Sequence, residues 1–390
     1  MTQPGARYLD GPVAIIGAGI GGLTAALSLQ HFGVPVRVFE QARTLREIGA
    51  GVTITPNAMS ALDFLGIGQV LAEQAGETPR YFVRSAADGR ELERGPDPDS
   101  FGAAYCNLHR GDLHVALTDA VTNNDPDAIV LGHRFDHLEQ DGGKVVAHFV
   151  NGATVEAPAL IGADGGASAV RDAVFGGQHA SYTGHVALRA LVPFTRVPRA
   201  IAADPYALYV GAGRSLIHYP LRRRTTMNLL GNAQASQWQD EGWSIPATVE
   251  EFLGLFDDFP EPVRELIAAV PGQALFKWGL RDREPLPVWT RGRVTMLGDA
   301  AHPMTPYLGQ GACMAIEDGM ILGRAVAASD SLAEAFARYE AARRDRANGV
   351  QLAARYQGTQ HHGSTGSGPN SGKTAVTLGL FSYNPVTEPV

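Results

Sequence analysis

The chain is poor in cysteine. Cys106 and Cys313 are the only two in 390 residues, far apart and without a CxxC spacing. That leaves no disulfide framework, predicts no metal site, and fits a reducing, cytoplasmic setting. Basic excess is also missing: 32 Lys and Arg stand against 40 Asp and Glu, a formal net charge of −8. A nucleic-acid partner, which asks for a basic face, is therefore not expected. The arginines at 222–224 read as a solvated hairpin tip. No basic stretch followed by an apolar core opens the chain, so no secretory signal is read. Residues 12–36 carry no formal charge and could span a bilayer by length. Glycines and prolines interrupt them, however, and a buried strand–turn–helix explains them better than a membrane segment.

Glycine is plentiful. The 46 glycines make about 12% of the chain against a usual ~7%, and they sit in turns beside apolar runs. "VAIIGAGIGGLTAALSLQHFGVPVRVFEQ" reads as strand, glycine turn, helix, turn and strand, one βαβ unit. Hairpins are predicted at Asp88-Gly89 and Asn151-Gly152, and a helix over "GDLHVALTDAV" with Asp112 as its N-cap. From 181 to 274 the texture becomes short strands joined by turns, an antiparallel sheet. The predicted fold is α/β. A Rossmann-like domain with a mostly parallel sheet (1–75, 101–180 and 275–355) is interleaved with an antiparallel α+β substrate domain (76–100 and 181–274). Residues 356–390 read as linker and tail. Their "SGPNSGKT" imitates a phosphate loop but lacks its first glycine and a preceding strand.

In "GAGIGG", Gly17, Gly19 and Gly22 follow an apolar strand and open an Ala/Leu helix, the context a dinucleotide turn requires. Glu40, 23 positions after Gly17, is placed to accept hydrogen bonds from the adenosine ribose. Arg43 is a candidate contact for a 2′-phosphate, but Glu40 would repel that group, so NAD or FAD is expected. Gly21, Gln41, Arg43 and Leu131 complete the expected shell.

A second strand–turn–helix, "LGDAAHPMTPYLGQGACMAIED" at 297–318, suits the far end of a long cofactor such as FAD. Asp299 ends a strand and can accept from ribitol hydroxyls. Residues 306–311 (Pro306, Gly309, Gly311), with Ala312 behind them, would pass along the flavin edge. The helix that follows aims its N-terminal N–H groups there. His302 is expected to shape the turn and Cys313 to pack.

"GAGIGG" with Glu40, "IGADGGASAVR" at 161–171 and the 297–318 stretch together resemble the single-component FAD-dependent aromatic hydroxylases, the group A flavoprotein monooxygenases. "REIGAGVTITPNAM", "AAYCNLHRGDLH" and "LRDREPLPVWTRGRV" resemble the branch acting on salicylate, 3-hydroxybenzoate and 6-hydroxynicotinate. The resemblance implies that Arg110 contacts FAD, that Asp164 serves both FAD and NAD(P)H, and that Asp299 binds ribitol. It implies reduction by NADH or NADPH without a separate nicotinamide domain. It also implies reaction of the flavin with O2 to a C4a-hydroperoxide, with Pro306 in the loop beside it, and hydroxylation of an electron-rich ring.

Two positions depart from that branch: Thr53 and Arg214 stand where histidines are common. In "RSLIHYPL", period-2 alternation puts Arg214, Leu216 and His218 on one face and Ser215, Ile217 and Tyr219 on the other. If the first face covers the flavin, Arg214 clamps a substrate carboxylate and His218 takes a phenol proton. Asn228 and Arg189 are further candidate substrate contacts, Arg189 the alternative anchor. The expected substrate is a small aromatic acid with a ring hydroxyl or amino group. A larger polyketide or alkaloid ring and a non-catalytic FAD redox sensor are the rival readings. Monomer and homodimer are both open.

Overall fold

The computed structural model describes residues 8–45, 49–76, 78–95, 97–177, 180–238, 242, 244–272, 274–361 and 378–390. Five short strands, Val294–Met296, Leu160–Gly162, Val13–Ile16, Val36–Phe39 and Ile129–Val130, lie parallel in that order. Thr290–Arg291 runs antiparallel at one edge. Val13, Ala14, Ile15 and Ile16 are all buried, as an apolar strand covered on both faces must be. The helices Ile20–His31 and Gly311–Ala327 pack against each other over this sheet. A three-stranded meander, Phe135–Gln140, Val145–Phe149 and Thr154–Ala157, lies in the chain between Ile129–Val130 and Leu160–Gly162.

The second layer is an eight-stranded sheet that is antiparallel except where Ala207–Gly211 meets Phe82–Ser85. One face packs Leu188, Ala190, Leu216 and Leu229 against Phe252, Phe256, Val263 and Leu266 of two short helices. The other carries Ile217, Tyr219, Asn228 and Leu230 toward the Rossmann half: Gly51 N–H donates to Asn228 Oδ1 at 2.8 Å, and Tyr307 packs beside Ile217 and Leu230.

Several local expectations need correction. The strand Leu275–Asp282 joins the antiparallel sheet, so the Rossmann half resumes only after it, not at 275. The helix Arg110–Asn124 is capped by His109, whose side chain accepts from Gly111 N–H. Asp112 instead accepts both arms of the Arg222 guanidinium at 2.7 and 2.6 Å. The arginines 222–224 form a hairpin tip with φ of 51, 54 and 63°, but the tip is docked: Arg223 also donates to the Glu73 carbonyl at 2.7 Å.

Helix Leu332–His361 continues past 355, and residues 378–390 return to the Rossmann half instead of forming a tail. Leu380 and Phe381 are buried there. Arg324 donates to the Pro385 and Glu388 carbonyls, and Arg346 covers the Tyr383 ring at 3.7 Å. The "SGPNSGKT" stretch, 367–374, lies outside the described residues. No described helix is long and apolar enough to cross a membrane; residues 12–36 are the strand, turn and helix just described.

Candidate functional site between the two glycine turns and the sheet

The first turn shows why each glycine is there. Gly17 has φ +106°, and a Cβ on it would lie 2.5 Å from the Ala163 carbonyl oxygen. A Cβ on Gly22 would lie 2.0 Å from the Gly17 oxygen. Both glycines shape the turn. Gly21 faces Leu297 and Ala315 and admits the second turn's helix, so its hydrogen serves packing and not the ligand side. Gly19 alone of the four opens onto space, with nothing within 4 Å of a Cβ built there. It caps a helix that has no side-chain cap, which leaves N–H groups available to an anion. The Glu40 carboxylate accepts from Ala18 N–H at 2.9 Å and Ala42 N–H at 2.8 Å. That fixes it at the rim, with Gln41, Arg43 and Leu131 exposed nearby.

In the second turn, Asp299 sits deep in protein. Burial raises its carboxyl, while His302 and Arg110 oppose the rise. Its side chain is nevertheless solvent-accessible. Asp299 is thus surrounded by protein atoms yet open to solvent, as a carboxylate lining a recess is. The loop continues through Pro306–Leu308 and Gly309, at φ 63°, to the helix Gly311–Ala327, whose N-cap Gln310 makes no side-chain cap. Gly311 and Ala312 are half-buried at its mouth. Arg110 enters from the end of Cys106–His109, its N–H bonded to the Ala50 carbonyl at 2.7 Å.

Asp164 is held by its own loop. Its carboxylate accepts from Ser168 Oγ at 2.5 Å and Val170 N–H at 3.1 Å. Arg171 then ties that loop to the second turn through the Ala300 carbonyl at 3.1 Å.

Behind Asp299 lies a charge network that sequence reading did not find. Asp318 accepts from Gly298 N–H at 2.9 Å and pairs with His302 Nε2 at 2.6 Å. Arg343 bonds Asp318 at 2.7 Å and Glu317 at 2.5 Å. Arg346 forks onto Glu317 at 2.8 and 2.9 Å. Burial alone would raise Asp318; His302 and Arg343 outweigh it and hold the carboxyl at about 2. Two adjacent acids in the otherwise apolar "CMAIEDGMIL", together with "ARRDR", were the available signal.

The sheet face is where the expectation fails. Arg214 donates to the Leu255 carbonyl at 2.8 Å and to Asp258 at 2.6 Å, and lies over Phe259. His218 is fully buried beside Tyr209, its Nδ1 bonded to the Pro205 carbonyl at 3.1 Å. Burial lowers it to about 4 and keeps it neutral. Both side chains point into the helix-covered layer, away from Asp299's side of the sheet. The alternation was right and the choice of face was wrong. Arg214→Met is accordingly expected to leave substrate KM unchanged. It should cost no more than about 1 kcal/mol in stability by denaturant titration, as a partly exposed ion pair does.

The opposite face carries Arg189, Ile217, Tyr219, Asn228 and Trp278. Arg189 lies 5.4 Å above the Trp278 ring. Among the described residues no carboxylate lies within ion-pair distance of it, and its Nε is buried without a hydrogen bond. Burial lowers its pKa, Tyr219 opposing and Arg110 adding to the effect. Asn228 also keeps a buried Nδ2 without a partner. Thr53 donates to Asn107 at 2.9 Å and lies against the phenols of Tyr206 and Tyr219. Tyr206 is in turn bonded to the Tyr105 hydroxyl at 2.9 Å. Thr53, Asn228 and Arg189 thus come together; Arg214 and His218 do not join them.

These features fit FAD: a glycine turn open at one position, a ribose-side carboxylate, a second carboxylate that is solvent-accessible although surrounded by protein, and two uncapped helix N-termini. Comparison with known proteins agrees. Residues 10–354 match the family described as FAD binding domain. The chain is 38% identical over 359 residues to 3-hydroxybenzoate 6-hydroxylase of Polaromonas naphthalenivorans (strain CJ2), covering 90% of this chain and 88% of that one. It is 35% identical to 6-hydroxynicotinate 3-monooxygenase of Pseudomonas fluorescens, covering 87% and 89%. Among solved structures, Klebsiella pneumoniae HpxO complexed with FAD and uric acid superposes with a TM-score of 0.84 at 28% identity, over 96% of this chain and 97% of that one. The chain belongs to this FAD-binding family and is an FAD-dependent aromatic-ring monooxygenase.

Proposed function

We propose that the chain uses NADH or NADPH and O2 to hydroxylate a small aromatic carboxylic acid bearing a ring hydroxyl or amino group, with Arg189 as the carboxylate anchor. The observation that carries this reading is the half-buried Arg189, whose buried Nε makes no hydrogen bond and whose charge no described carboxylate neutralises. A cation drawn partly out of water is costly when unpaired, and a planar carboxylate is the partner its fork matches.

FAD, when bound, supplies hydride uptake from the nicotinamide and delivery of one oxygen atom to the ring. The chain's own residues hold and orient. The Gly19 turn takes the pyrophosphate, Glu40 the adenosine ribose and Asp299 the ribitol. Arg110, Pro306, Gly309, Gly311 and Ala312 border the flavin. Ile217, Leu230, Trp278 and Tyr307 make an apolar wall that excludes water. The hydroxyls of Tyr219, Thr53, Tyr206 and Tyr105, and not the distant His218, form a chain against which a substrate phenol can rest its proton. Asn228, bonded to Gly51, fixes the strand that carries Thr53.

The test is a screen of hydroxy- and aminobenzoates for stimulated NAD(P)H oxidation, with product mass measured. An acid that gains one oxygen supports the reading; substrates that turn over equally well as amides count against a carboxylate anchor. Asp299→Ala is expected to weaken FAD binding about 10- to 100-fold, the loss of one buried hydrogen-bonding group at ~1–3 kcal/mol. Flavin fluorescence on titration checks it, and unchanged affinity would remove Asp299 from the ribitol role.

A further inference from the structure

On the meander between Ile129–Val130 and Leu160–Gly162, His137 faces His148 across the strand pair Phe135–Gln140 and Val145–Phe149. Glu139, two residues on, shares their face. The two imidazoles are parallel, with ring centroids 4.2 Å apart and 4° between planes. One nitrogen from each and one Glu139 oxygen all lie within 4.8 Å of one another.

The orientation of the rings singles out a ligand set. His137 Nδ1 donates to the Asp136 carboxylate at 2.9 Å. His148 Nδ1 lies 3.5 Å from Thr154 Oγ1 on the third strand. His148 Nε2 makes no hydrogen bond and stands 3.8 Å from Glu139 Oε1. Outer partners that hold one ring nitrogen and leave the other for an ion are the usual support of metal-bound histidines.

We propose that His137, Glu139 and His148 bind one divalent transition-metal ion of the zinc or copper class, separate from the flavin site. Two imidazoles and a carboxylate suit those ions, whereas calcium and magnesium ask for an all-oxygen shell. Tetrahedral zinc with bonds of ~2.0–2.1 Å needs ligand atoms roughly 3.3–3.5 Å apart. The exposed Glu139 side chain reaches that spacing by a rotamer adjustment, and water completes the shell. The bound ion ties two strands of the meander across its solvent face.

The test uses the full FAD-loaded chain carrying His361→Ala and His362→Ala, which removes the other histidine pair as a competitor. Zn2+ is titrated calorimetrically, and Cu2+ at one equivalent is followed by electron paramagnetic resonance. The expected result is one saturable Zn2+ per chain and a Cu2+ spectrum with coupling to two imidazole nitrogens. His148→Gln and Glu139→Gln, made separately, should weaken Zn2+ binding while FAD content stays unchanged. Asp136→Asn should weaken it about 10- to 100-fold, the loss expected for an outer-shell partner. The proposal is overturned if the parent chain takes up no saturable equivalent of Zn2+, or if His148→Gln binds it as tightly as the parent.

Discussion

Arg189→Met is expected to raise KM for the aromatic acid roughly 30-fold or more and, in the same protein, to leave the melting temperature unchanged or higher. The two effects share one cause. With substrate bound, Arg189 pairs with a carboxylate inside the protein, and removing one partner of such a pair costs about 2–5 kcal/mol. Without substrate, the guanidinium is a half-buried cation, its Nε enclosed, with no carboxylate beside it among the described residues. Replacing it by an apolar side chain of similar length relieves that penalty. Steady-state kinetics and thermal unfolding of the ligand-free protein check the pair of signs together. A variant with unchanged KM would mean that the substrate carboxylate, if there is one, lies elsewhere. A variant that simply unfolds would mean that Arg189 is structural.

Gly22→Ala is expected to abolish FAD binding and to destabilise the protein severely, whereas Gly19→Ala loses FAD affinity and keeps its fold. The added methyl at position 22 would sit 2.0 Å from a backbone oxygen of the turn itself. Neither atom can rotate away, so the cost exceeds the ~1–3 kcal/mol typical of an overpacked core. At position 19 the methyl meets nothing within 4 Å, and the backbone there, φ −74° and ψ 177°, is open to any residue. Its only obstacle is the ligand. Apo-protein melting and flavin titration of the two variants separate a turn-forming glycine from a ligand-facing one. Equal loss of fold in both would contradict the division of roles.

Much of this was legible in the residues because the signals are local. The uncharged run of 12–36, the glycine turns, the Asn151-Gly152 hairpin and the Asp299 turn each declare themselves within a few positions. What remained illegible is long-range. A strand's alternation gives two faces but does not say which neighbour each will meet. Arg214 and His218 went to the helix-covered side because Leu216 between them belongs with Phe252 and Phe256. The Glu317–Arg343 pair joins residues 26 apart, and Asn57, which donates to Glu317 at 2.6 Å, lies 260 positions away; no spacing rule reaches so far. In the C-terminal segment the Gly/Ser-rich composition before 378 masked Leu380, Phe381 and Tyr383, whose apolar surface returns them to the core. Asp112 has the position of a cap, and the partner that claims it, Arg222, comes from the other domain.

The most direct measurement is turnover of hydroxybenzoates and their matched amides under 18O2, with NAD(P)H consumption and product mass followed in the same reaction. The expected result is a yellow protein that oxidises NAD(P)H faster when the acid is present. It should incorporate one 18O atom into the acid's ring, do little with the amide, and lose this preference in Arg189→Met. Acid and amide hydroxylated with equal efficiency, or a product oxygen derived from water, would contradict it.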